Sequence, residues 1–243
     1  MSYVAKKGRD ALKSMTEEKK DFSKVLVPLK SGSSYKVRIP STEDFVEYYA
    51  HSVYKKFYTT PCTKASGKPD LYDQAVDILY KDANTAAKAG DEKKAEELRE
   101  QARLLKAKPR YLFGFFNLAD GEEIVVDLTK AQARVVVAAI EKYAKKIDKL
   151  AFELSKEGSG TSTQVSLTPI IDEDDLSETE RKNFEATSGK TFDESLYENV
   201  LKVKDESEQL EDLRNFGFDV SRLGIEDETV EPIEEGDDED YPF

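Results

Sequence analysis

Tryptophan is absent from the 243 residues, and cysteine and histidine occur once each, as Cys62 and His51. A single thiol excludes an internal disulfide and points to a reducing cytoplasm. One cysteine and one histidine also leave little material for covalent catalysis, since no third group stands near either in the sequence to orient the pair. No apolar run approaches the ~20 residues that a membrane span requires, and residues 1–24 are polar and charged, unlike a secretory signal. Gly189-Lys190-Thr191 has the ending of a phosphate-binding loop, but Phe184 stands where the first glycine belongs and no strand precedes it. The acidic run Asp172–Asp175 has the composition of a solvated loop more than of a Mg²⁺ site. The expectation is a protein that is not an enzyme and carries no cofactor.

What is present is charge, unevenly spread. Residues 1–170 hold 30 Lys and Arg against 24 Asp and Glu, net +6, whereas residues 171–243 hold 7 against 26, net −19. The overall acidity therefore belongs to the last third. A mildly basic body with an acidic appendage fits a polyanion binder whose own tail competes for the basic surface. Ten of the last twenty residues are Asp or Glu and none is Lys or Arg, so residues 224–243 are expected to form a disordered acidic tail. It ends in Asp237-Asp238-Glu239-Asp240-Tyr241-Pro242-Phe243, and an aromatic tip on an acidic peptide suits partners with a basic rim around an apolar pocket. That tip resembles the C-terminus of bacterial and phage single-stranded-DNA-binding proteins. The resemblance implies recruitment of replication proteins: polymerase, helicase or primase, and recombination factors.

Residues 1–21 form a basic arm with Lys6, Lys7 and Arg9. Strand texture covers Val25–Leu29, Tyr35–Pro40 with Lys36 and Arg38 on one face, and Val46–Thr59 with a turn near Lys55-Lys56. Residues 70–107 have apolar residues at three-four spacing on both sides of Gly90-Asp91, the pattern of a helical hairpin inserted between strands. Strands resume over Arg110–Asn117 and Glu123–Leu128 around an Asp120-Gly121 turn. A capping-box pattern at Thr129–Gln132 opens a helix whose stripe, Val136, Ile140, Tyr143, Ile147, Leu150 and Leu154, predicts that it runs to about Gly158. Thr161–Ile171 alternates like one more strand, and residues from Ser177 to about 220 are polar, with helical hints at Leu196, Val200 and Leu201. The pattern predicts an α+β protein. Residues 22–223 form its core, a partly open β-barrel of the oligonucleotide-binding type.

Aromatic residues are interleaved with basic ones. Tyr48, Tyr49, Tyr54, Phe57, Tyr58, Tyr111, Phe113, Phe115 and Phe116 alternate along the chain with Lys36, Arg38, Lys55, Lys56, Lys106, Lys108 and Arg110. Single strands are gripped without sequence readout by stacking bases on aromatic faces, ~1–3 kcal/mol per base, in a groove that neutralises phosphates. About half of these rings belong to a core, because strand side chains alternate between faces. Tyrosines beside Lys or Arg are the better surface candidates, and the row Tyr111, Phe113, Phe115 is either core or platform. The candidate contact set is Lys36, Arg38, Tyr48, Tyr54, Lys55, Lys56, Phe57, Tyr58, Lys106, Lys108, Arg110 and Tyr111.

His51, Lys55-Lys56, Phe57-Tyr58, Cys62 and Asp70-Leu71-Tyr72-Asp73 stand in an order that resembles the single-stranded-DNA-binding, helix-destabilising proteins of T-even-type phages. Ala5-Lys6-Lys7-Gly8-Arg9-Asp10-Ala11-Leu12 is similar to that family's basic arm, which implies cooperative self-association along DNA. The family holds zinc with one His and three Cys, whereas two of the matching positions here are Asp70 and Asp73. With one soft ligand among four the expectation is no metal, the helical hairpin replacing it by Leu and Ala packing. The resemblance implies non-specific single-stranded DNA binding in phage replication, recombination or repair. The rivals are a replisome adaptor or loader and an acidic DNA mimic, neither of which binds single strands.

Overall fold

The computed structural model describes residues 22–158 and 162–225. Strands occupy Ser33–Arg38 (β1), Phe45–Val53 (β2), Phe57–Pro61 (β3), Lys108–Asn117 (β4), Glu123–Thr129 (β5), Ala151–Glu157 (β6) and Gln164–Ile170 (β7). Helices occupy Phe22–Val25 (α1), Leu71–Lys88 (α2), Glu92–Leu105 (α3), Lys130–Tyr143 (α4), Glu178–Ala186 (α5), Ser195–Asn199 (α6) and Glu206–Phe216 (α7). The strands make one open antiparallel sheet in the order β3-β2-β4-β1-β6-β7, with β5 paired to β4. The α+β class and the inserted hairpin are as the sequence predicts. The described chain divides into two units, residues 22–50 with 108–202 and residues 51–107 with 203–225. Among the described residues no helix is long and apolar enough to cross a membrane.

In the first unit, β4 settles the aromatic row. Phe113 and Phe115 leave the strand on one face and are 1% and 0% exposed, so the row is core, with Tyr111 half-buried at its end. Phe45 stacks on Phe113 at 5.1 Å between ring centroids. The capping box of Thr129 and Gln132 starts α4, whose Ala133, Val136 and Ile140 pack on this row together with Phe152, Leu154 and Leu167. Leu112 and Val125 pack with Phe192, Leu196, Tyr197 and Val200 in a separate cluster. Gly114 permits that packing: a Cβ there would lie 2.6 Å from the Phe192 ring.

The fold departs from the sequence pattern in three places. The helix from Thr129 ends at Tyr143 rather than near Gly158, and Ala151–Glu157 is the strand β6, paired along β1 and β7. The expected strand Val25–Leu29 is instead the end of α1 followed by a single bridge from Leu26 to Val125. Helices α5 and α7, absent from the reading, each open on a capping box, Ser177 with Glu180 and Asp205 with Glu208.

In the second unit, Asp70 and Asp91 cap α2 and α3 by accepting from the amides of Asp73 and Lys94. Gly90, at φ 82°, makes the reversal between the two helices. Leu71, Tyr72, Ala75, Val76 and Leu79 meet Ala102, Leu105 and, from the last described segment, Leu213 and Phe218. Ile225 packs on the same cluster. Residues 224 and 225 thus belong to the fold rather than to the tail, and residues 226–243 lie outside the described part.

Candidate nucleic-acid interface

The hairpin between β2 and β3 takes its shape from alternation and one unusual dihedral. Val53 and Phe57 point inward, at 8% exposure each, which turns Tyr54 and Tyr58 outward at 87% and 92%. The Lys56 amide donates to the Val53 carbonyl at 3.0 Å, closing a three-residue loop of Tyr54, Lys55 and Lys56. Lys55 has φ 62°, and among the described residues it alone has positive φ without being glycine. Its ammonium lies 5.5 Å from the centroid of the Tyr54 ring. Residues Ser52–Thr59 line an open groove of about 510 Å³, and none of them is acidic. Two solvated rings and two lysines without a nearby carboxylate in their own segment form a stacking surface with positive charge.

Four of the sequence-predicted contact residues, Tyr54, Lys55, Lys56 and Tyr58, meet in this hairpin. Phe57 belongs to the core, stacked on Tyr72 at 5.2 Å, which removes it from the candidate set. Lys106, also in the second unit, is exposed.

The first unit holds the other candidates, and most have partners. Arg38 is 4% exposed; its guanidinium donates to the carbonyls of Phe184 at 3.0 Å and Asp148 at 2.8 Å and lies 4.4 Å from the centroid of the Phe184 ring. Burial pulls its pKa down and the Asp148 charge partly restores it. This is a structural arginine, unavailable to phosphate. Lys36 donates to the Asp175 carbonyl at 2.6 Å and to Glu180 at 3.0 Å. Asp127 accepts from both Arg110 Nε and the Tyr48 hydroxyl, each at 2.9 Å. Burial, followed by that carboxylate, pushes the Tyr48 pKa up. The Tyr111 hydroxyl donates to Glu47 at 3.0 Å. Lys108 is exposed and pairs with Ala50, whereas Tyr49, 51% exposed, pairs with Pro109 and so points to the other face of the sheet. Tyr49 falls outside the sequence-derived contact set although it shares the aromatic signal, and Asp127 was missed because its role depends on cross-strand pairing. The arm residues Lys6, Lys7 and Arg9 and the tip residues Asp237–Phe243 lie outside the described residues.

His51, Cys62, Asp70 and Asp73, the positions matching the zinc ligands of the resembling family, converge so that their ligating atoms lie within 4.8 Å of one another. Their chemistry does not fit a structural zinc. Only Cys62 is soft, and burial, then the charges of Asp70 and Asp73, push its thiol up to about 11, away from the thiolate that a metal needs. It donates instead toward Asp73 at 3.7 Å. Asp70 already accepts from the Thr63 amide at 2.8 Å and the Asp73 amide at 3.0 Å, while the Thr63 hydroxyl gives its proton to the Pro69 carbonyl at 2.7 Å. Together with the His51 contact at 3.2 Å, these occupy three of its roughly four lone-pair sites. No protein-family model matches the chain, and no curated protein or solved structure is significantly similar to it.

Proposed function

We propose that this protein binds single-stranded DNA without sequence preference, as the helix-destabilising phage proteins do, in replication, recombination or repair. The observation that carries the reading is the hairpin tip, where Tyr54 and Tyr58, 87% and 92% exposed, flank Lys55 and Lys56. A tyrosine ring left in water forfeits the burial energy a core position would return, and it makes a flat platform for a base. The bridging of β4 to β6 through β1, with α4 packed on the resulting row, supports a partly open barrel of the oligonucleotide-binding type. In this reading, acidic residues of the segment 226–243 compete with the strand for the basic surface.

Tyrosine fluorescence titration with oligo-dT tests it. Binding should quench the emission and weaken steeply with salt, because neutralised phosphates release counterions. Tyr54→Ala and Tyr58→Ala should each lower affinity by ~1–3 kcal/mol, about 5- to 150-fold, with the unfolding free energy unchanged within ~0.5 kcal/mol. An unquenched, salt-insensitive response would reject DNA binding and leave the adaptor reading.

A further inference from the structure

We infer that His51 is held in the second unit as a doubly protonated imidazolium clasped by Asp70, so that a proton ties together the segments that a metal would otherwise join. His51 Nδ1 lies 2.8 Å from the Leu105 carbonyl oxygen, which offers only lone pairs, so Nδ1 carries hydrogen. Nε2 lies 3.2 Å from Asp70 Oδ1, and a bare nitrogen lone pair facing a carboxylate at that range would repel it. The contact is ionic rather than a well-directed hydrogen bond. Acceptors therefore face both nitrogens of a side chain that is 0% exposed. The Tyr72 ring stacks on the imidazole at 4.7 Å, a placement that favours a cation.

The clasp joins four segments of the second unit: β2 through His51, α3 through Leu105, the turn at Thr63–Ser66 through Thr63, and the start of α2 through Asp70. The ionisable groups around it are Asp70, Asp73 and the Cys62 thiol, with Lys64 3.9 Å from Asp73. Beyond Tyr72 stand Asp212, which accepts from its hydroxyl at 2.6 Å, and Lys204 on the same carboxylate. Burial alone would lower the His51 pKa, but Asp70, the Leu105 carbonyl and the Asp73 charge reverse that and raise it. Burial would raise Asp70, and His51 with the amides of Asp73 and Thr63 bring it well below the ordinary carboxylate range. For a raised histidine the stabilisation is complete below its unfolded value of ~6.5 and is lost as pH rises through the folded value. For the lowered Asp70 it is present above ~3.9 and lost as pH falls through the folded value.

The experiment uses the full chain without DNA, so its outcome is independent of the strand-binding proposal. Because His51 is the only histidine, side-chain ¹⁵N NMR reports on it without assignment. At about pH 7 both ring nitrogens should have protonated-type shifts, with the midpoint raised above that of a free imidazole. The melting temperature should fall as pH rises above the unfolded value of ~6.5 and through the folded one. His51→Gln should flatten that part of the profile, and neither EDTA nor added zinc should move it. A neutral ring at about pH 7, or a melting temperature that rises with zinc and falls with EDTA, would overturn the clasp.

Discussion

Lys55 occupies a backbone conformation, φ 62°, that glycine adopts without a Cβ penalty. A lysine in that position gives up on the order of 1 kcal/mol of fold stability, and its side chain makes no hydrogen bond that would return it. On the strand-binding proposal, the charge at the loop tip is the reason to retain it. Lys55→Gly separates the two demands: the melting temperature should stay level or rise, while affinity for oligo-dT falls and the salt slope declines by roughly 0.7. Equal affinity in the variant would remove Lys55 from the contact surface. Arg38 is the opposite case. It has the same charge, but its guanidinium is committed to two backbone carbonyls and a ring. Residue type alone does not separate a phosphate ligand from a buried fastener.

What separates them is an element. Lys36 and Arg38 alternate with Val37 and Ile39 and were expected to face solvent, yet Glu180 and Phe184 of α5 lie against them. Missing that helix is what misplaced both residues. Its capping box, Ser177 with Glu180, was present in the sequence, but the surrounding polarity hid the short apolar stripe. The α2–α3 hairpin was legible because its cues are local: apolar residues three and four apart, a glycine stop and an Asp cap on each helix. The strand β6 was not, since Ile147, Leu150 and Leu154 satisfy a helical period while Phe152 and Leu154 satisfy a period of two. Only pairing with β1, over a hundred residues earlier in the chain, decides between them. Of the contact set, the Tyr54–Tyr58 hairpin could be read from adjacency to Lys-Lys, and Asp127 with its two donors could not. Packing at β4 gives an element-scale prediction. Gly114→Ala would drive a methyl to 2.6 Å from the Phe192 ring and 2.7 Å from the Tyr197 hydroxyl, so urea unfolding should show a loss of ~1–3 kcal/mol.

For the whole molecule the governing quantity is the charge division, net +6 over residues 1–170 against −19 over residues 171–243. If the acidic segment competes with DNA, deleting residues 226–243 should raise oligo-dT affinity several-fold in dilute buffer and leave it nearly unchanged at high ionic strength, where such competition is screened. Filter-binding or fluorescence titration at two salt concentrations measures this, and unaltered affinity at low salt would remove the competition. The cut should begin after Ile225, since that side chain packs on the second cluster. That cluster draws Tyr72 and Leu105 from one stretch of chain and Leu213 and Phe218 from another. A ribosome adds about 5–20 residues per second, so during synthesis the helical hairpin waits for its closing helix for some 5–20 seconds. Over that interval Leu71, Tyr72 and Leu105 lack their final cover, giving a holding chaperone a defined and brief opportunity to engage the nascent chain.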